Sequence, residues 1–121
     1  MSKLTALEDA ALSAIFDEVP HLRPALCEQL AAAKIVSREY DAGGFFTYFS
    51  VGENAPSIPA PLAFGENVHA RIDGLQYGVG FVLILKNGRM HVLDCYAVGD
   101  DTTSIDFATV PFTISETPFD A

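Results

Sequence analysis

The chain of 121 residues carries 16 Asp and Glu against 7 Lys and Arg, a formal charge of −9, and half of its residues are hydrophobic. That length fits one domain, residues 1–121, which can bury roughly two-thirds of its unfolded surface and needs neither disulfide nor metal to fold. The acidic balance repels phosphate backbones and anionic lipid surfaces over a Debye length of ~10 Å, which argues against nucleic acid; such a surface commonly serves solubility, and the alternative is that it attracts a basic protein partner.

No segment approaches the ~18 consecutive apolar residues of a membrane span. The opening MSKLTALEDAALS places Glu8 and Asp9 where a signal peptide requires apolar residues. A cytoplasmic protein without a membrane partner is therefore expected. Cys27 and Cys95 form no CxxC pair and no cluster with His at metal spacing, so two reduced thiols are expected, with neither metal nor cofactor.

Leu4, Leu7, Leu12, Ile15, Phe16 and Val19 recur at helical spacing, and Thr5 followed by Glu8 has the form of a capping box, predicting a helix over 5–18 that Pro20 ends. A second helix is predicted over 22–34, with Leu22, Leu26, Leu30 and Ala33 on one face and Pro24 tolerated in the first turn. The pair, 5–34, forms an αα-hairpin. Beyond Lys34, β-branched and aromatic runs separated by Gly, Pro, Asn and Asp predict an antiparallel sheet over 35–115.

Strands are predicted at IVSREY (35–40) and GFFTYFSV (44–51), joined by Asp41-Ala42-Gly43. The Pro-rich segment 52–67 reads as a long mobile loop. VHARIDGL (68–75), GVGFVLILK (78–86) and RMHVLDCYAV (89–98) follow as a meander, and ATVPFTIS (108–115) is an edge strand because Pro111 cannot donate to a ladder. The fold class is thus α+β, two N-terminal helices packed on a twisted antiparallel sheet of five or six strands.

Asn87-Gly88 between two apolar runs is a strong signal for a type I′ hairpin. If Lys86 faces Arg89 and the register continues unbroken, Phe81 faces Asp94 and Gly80 faces Cys95. One face then holds Phe81, Leu83, Val92, Asp94 and Tyr96, the other Gly80, Val82, Ile84, Leu93 and Cys95. Both faces are apolar, so each needs cover: the helices on one side, and on the other the Pro-rich loop, a curled sheet or a second subunit, which would make a homodimer through a sheet face.

The stretches VSREYDAGGFFTYFSV (36–51) and GVGFVLILKNGRMHVLDCYAVGDD (78–101) resemble a group of small uncharacterised bacterial proteins. In that group an Arg-Glu pair leads into a Gly-rich turn and an aromatic strand, and a later hairpin ends in Leu-Glu-x-Tyr. This chain departs from the pattern at Leu93-Asp94-Cys95-Tyr96. The resemblance implies an α+β fold and no particular activity.

Two constellations invite chemistry. Keeping Val68, Ala70 and Ile72 on the apolar face sends His69 and Arg71 to the other, where Arg71 would sit across Gly80 from Cys95. A guanidinium beside a thiol lowers its pKa, and His69 or His91 would serve as base. The plainer reading is a packed Cys with a surface His and Arg. The second is Asp94, an acid on an apolar face, which either acquires a raised pKa or finds a partner such as Arg38, Tyr40, Tyr48 or loop backbone, because burying it unpaired costs several kcal/mol.

Gly78 to Gly80 lacks the spacing of a phosphate loop, and Asp100, Asp101 and Asp106 lack that of an EF-hand. The pattern as a whole points to a non-enzymatic acidic binding protein, antidote-like or regulatory. The alternative is a small-ligand binder or minor enzyme with a pocket between loop 52–67 and the sheet, using Arg71, Cys95, Tyr48 and His69.

Overall fold

The computed structural model describes residues 3–59 and 61–115. Helix α1 (Ala6–Asp17) begins at the expected cap: the Glu8 amide donates to Thr5 Oγ1 at 3.1 Å and the Thr5 amide donates to Glu8 Oε1 at 2.8 Å. Its stripe of Leu7, Ala11, Leu12, Ile15 and Phe16 is buried throughout. Helix α2 (Arg23–Ala32) carries Pro24 in its first turn and stops short of the predicted residue 34. Ala33 is already extended, so the chain passes straight into strand β1 (Ala33–Asp41) without a loop.

The remaining strands are β2 (Gly44–Val51), β3 (Ala63–Phe64), β4 (His69–Ile72), β5 (Val79–Lys86), β6 (Arg89–Ala97) and β7 (Phe112–Ser115). They form one open antiparallel sheet in the order β1-β2-β6-β5-β4-β7, with β3 on the same edge of β5 as β4. The fold is α+β as expected, and the sheet is larger than five or six strands because the Pro-rich segment contributes β3. Strand β7 lies at an edge, as Pro111 requires. Among the described residues no helix is long and apolar enough to cross a membrane.

The Pro-rich segment, expected to be a mobile loop, is instead tied along the rim of the β5–β6 hairpin. The Ile58 amide donates to the Gly88 carbonyl at 2.8 Å, the Leu85 amide donates to the Leu62 carbonyl at 2.8 Å, and Ile58 is 2% exposed. The buried Gln29 of α2 reinforces this. Its Nε2 donates to the Pro56 and Gly88 carbonyls at 2.7 and 2.9 Å, while its Oε1 accepts the Met90 amide at 2.9 Å. One side chain thus joins helix, connection and hairpin, and each of its polar atoms is satisfied, as burial demands.

The hairpin turn matches its Asn-Gly signal, with φ of 54° at Asn87 and 77° at Gly88. The register beyond it does not stay unbroken. Lys86 faces Arg89 and Leu85 faces Met90, but Ile84 faces Val92, so His91 is an inserted bulge residue. Because side chains alternate with a period of two, this single insertion reverses the assignment of every later β6 residue. Leu93 and Cys95, not Val92 and Asp94, share the face of Phe81 and Leu83, whereas Val92, itself 7% exposed, and Asp94 lie with Ile84 and Val82 on the opposite side.

The helix-covered face therefore packs Phe45, Phe49, Phe81, Leu83, Leu93 and Cys95. Glu8 enters this face fully buried. Arg38 Nε and Nη2 donate to Glu8 Oε2 and Oε1 at 2.8 and 2.7 Å, and Thr47 Oγ1 donates to Oε2 as well. Burial alone would raise the Glu8 pKa; the hydrogen bonds from Arg38, Thr47 and the Thr5 backbone, with the Arg38 charge, outweigh it and hold the carboxyl below its ordinary value. Arg38, one of the partners expected for Asp94, is thereby committed to the other face.

Candidate functional site

The helices cover only one face of the sheet. On the other, aligned registers place Glu39, Phe46, Asp94 and Val82 in one cross-strand row. Asp41, Gly44, Tyr96, Gly80 and His69 form the next row, and Ser37, Tyr48, Val92 and Ile84 lie on the far side of the first. Phe46, Tyr48, Val82, Ile84 and Tyr96 are half-buried, so the face is apolar and reachable from solvent. Among the described residues the helices pack on the opposite face and the Pro-rich segment joins the sheet at the β5 edge.

Asp94 stands in the middle of this surface, between Phe46 and Val82 across the strands and between Val92 and Tyr96 along its own. Its carboxylate makes no hydrogen bond or ion pair with a described residue. Partial burial among apolar side chains raises its pKa, and the charge of Asp41 on the neighbouring row raises it further. Among the described residues none of the expected structural partners reaches Asp94: Arg38 binds Glu8, and neither Tyr40 nor Tyr48 bonds to it. Three carboxylates, Glu39, Asp41 and Asp94, surround Phe46 on this face.

The nucleophile constellation is not formed. Cys95 is 1% exposed on the helix-covered face, and burial, followed by the charges of Asp94 and Glu8, raises its thiol pKa well above the ordinary value. A thiol in that setting is held protonated rather than activated. Arg71 is exposed on β4, where it pairs with Thr113 of β7, and it is His69 that stands across Gly80. His91 occupies the bulge, with its ring 6.0 Å from that of Tyr48. Tyr48 lies on β2, and β6 and β5 separate it from β3, the part of segment 52–67 that joins the sheet. A hollow of about 650 Å³ does lie between that segment and the end of α1, lined by Val19, Phe64, Glu66 and Val82, but it holds none of the four predicted residues.

The space the sequence reserved for a ligand at Gly80 is filled from within. A Cβ there would stand 2.4 Å from Tyr96 Cζ and 2.5 Å from its hydroxyl, so only glycine lets the ring lie across β5 towards His69. Beside it opens a cleft of about 550 Å³ walled by His69, Tyr77, Tyr96 and Val98. The Tyr77 amide donates to Asp100 Oδ2 at 2.8 Å, which fixes the outer wall. His69 Nδ1 is buried without a hydrogen-bond partner among the described residues.

Comparison with protein families, with curated proteins and with solved structures finds no match for this chain. Among the described residues no group of His, Cys, Asp and Glu is placed to hold a metal ion.

Proposed function

We propose that the chain is a non-enzymatic binding protein, antidote-like or regulatory, that engages a basic protein through its uncovered sheet face. The single observation that carries this reading is Asp94: a carboxylate without a partner at the centre of an apolar, aromatic surface. A lysine or arginine from a partner supplies the missing ion pair, and the surrounding Phe46, Tyr48 and Tyr96 exclude water from it and offer aromatic faces to the cation. Glu39, Asp41 and the net charge of −9 steer a basic protein towards the face and speed its encounter. A second copy of the chain is a weaker occupant, since it would bring the same carboxylates towards one another.

Such centrally placed, water-excluded pairs contribute about 2–5 kcal/mol when one member is removed. Parallel affinity captures with wild-type and Asp94→Arg baits test the proposal. The wild type should retain a protein of basic isoelectric point that is released as salt rises from 0.1 to ~0.5 M, where the Debye length falls below ~5 Å. The D94R bait should lose it. Retention by both baits, or wild-type dimers in sedimentation that dissociate on D94R in place of any basic partner, would overturn the reading.

A further inference from the structure

From the cleft beside this face we infer a separate binding site for a planar, uncharged aromatic or heteroaromatic molecule of one or two rings. Four observations define the ligand. The volume of about 550 Å³ lies within the range of small-molecule sites and leaves space for such a molecule beside the Tyr96 ring. The walls are flat: the Tyr96 ring lies over Gly80, and the Tyr77 ring packs on Gly99, where a Cβ would stand 3.5 Å from Tyr77 Cδ2. Aromatic rings backed by bare glycine backbone favour stacking partners over branched aliphatic ones.

The third observation is charge. Among the described residues no Asp, Glu, Lys or Arg lines the cleft, so a charged ligand would lose hydration without compensation there, and an anion would also meet the acidic protein at long range. The fourth is His69. His69 lines the cleft, and its Nδ1 is buried without a hydrogen-bond partner among the described residues, although the great majority of buried polar atoms are paired. A ring nitrogen, N–H or carbonyl at the edge of a ligand, reaching it with a small swing of Tyr96, would complete that missing bond, donating or accepting according to the imidazole tautomer. The inference does not depend on Asp94 or on the proposed protein partner.

Amide NMR titrations of the full chain with adenosine and with indole test it. At least one probe should give saturable shifts at the Gly78, Gly80 and Gly99 amides with a Kd below about 1 mM. Adenosine monophosphate should bind at least about tenfold more weakly than adenosine, because its phosphate meets no cation. His69→Phe should weaken the bound probe about fivefold through the lost hydrogen bond. Val98→Asp, at a position 67% exposed where folding is insensitive to the change, should abolish the shifts. D94R should leave them intact, which separates this site from the sheet-face reading. Absence of saturable glycine shifts with both probes, or shifts unaffected by V98D, would overturn the inference, and V98D decides it even if H69F fails to fold.

Discussion

Asp94→Asn should stabilise the isolated protein at neutral pH. The side chain keeps its size and loses the charge that sits among Phe46, Val82, Val92 and Tyr96 with Asp41 on the next row. Because Asp94 is partly open to water, the gain is discounted to about 0.5–1 kcal/mol, well below the cost of a fully buried unpaired carboxylate. With an unfolding entropy of about 2.1 cal/mol/K per residue, a chain of 121 residues shifts by about 4 °C per kcal/mol, so Tm should rise by about 2–4 °C at pH 7. The sign follows from the raised pKa: the neutral acid is the form the fold favours, so wild-type stability is full below the unfolded carboxylate value near ~3.9 and falls as pH rises through the higher folded value. The two proteins should therefore melt together near pH 3 and diverge towards pH 7 in thermal melts followed by circular dichroism. An asparagine variant that melts at or below wild type at neutral pH, or a gap independent of pH, would refute the reasoning. A gain in stability coupled to weaker partner capture is the trade expected where a binding surface retains an unfavourable charge.

Glu8→Gln should destabilise by about 3–5 kcal/mol, since it leaves the Arg38 guanidinium, about one-fifth exposed, without its counter-charge. The lowered Glu8 pKa gives a stability contribution that is complete above the ordinary carboxylate value and lost as pH falls through the folded one, so chemical denaturation of wild type and E8Q should converge in acid. Gln29→Leu should cost about 2–3 kcal/mol by orphaning the buried Met90 amide and freeing segment 52–59 from α2, visible as faster amide exchange at Ile58. Of the two thiols, exposed Cys27 should react readily with a disulfide reagent in the native state, whereas Cys95 should react only at the rate of unfolding; native labelling of Cys95 would contradict its place in the core.

What the sequence determined by itself was whatever depends on a few neighbouring residues. The Thr5-Glu8 cap, the tolerated Pro24, the Asn87-Gly88 turn and the edge position imposed by Pro111 are local effects of hydrogen-bond geometry and ring sterics, and each is found where it was expected. The alternation that buries Val68, Ala70 and Ile72 was equally legible.

Tertiary structure decided the rest, and most of it through one residue. In RMHVLDCYA both parities look apolar, so periodicity could not choose between an unbroken ladder and one with a bulge at His91. A clue was present in Asp94 itself, since an unbroken register would have placed its charge beside Phe81 in the core, whereas the bulged register turns it outward and buries Leu93 and Cys95. The same inversion turned Cys95 into the helix-covered core and set Tyr96 in its place across from Gly80, while an independent β4–β5 register, two residues from the expected one, put His69 in place of Arg71 on the other side. The pairing of Glu8 with Arg38, 30 residues away, was also beyond local reading, because the capping box alone accounted for a glutamate at that position. Which face lay under the helices, and hence which was left open around Asp94, was settled by the packing of α1 and α2 against the inner residues of β2, β5 and β6, a contact between distant segments that no short window of sequence encodes.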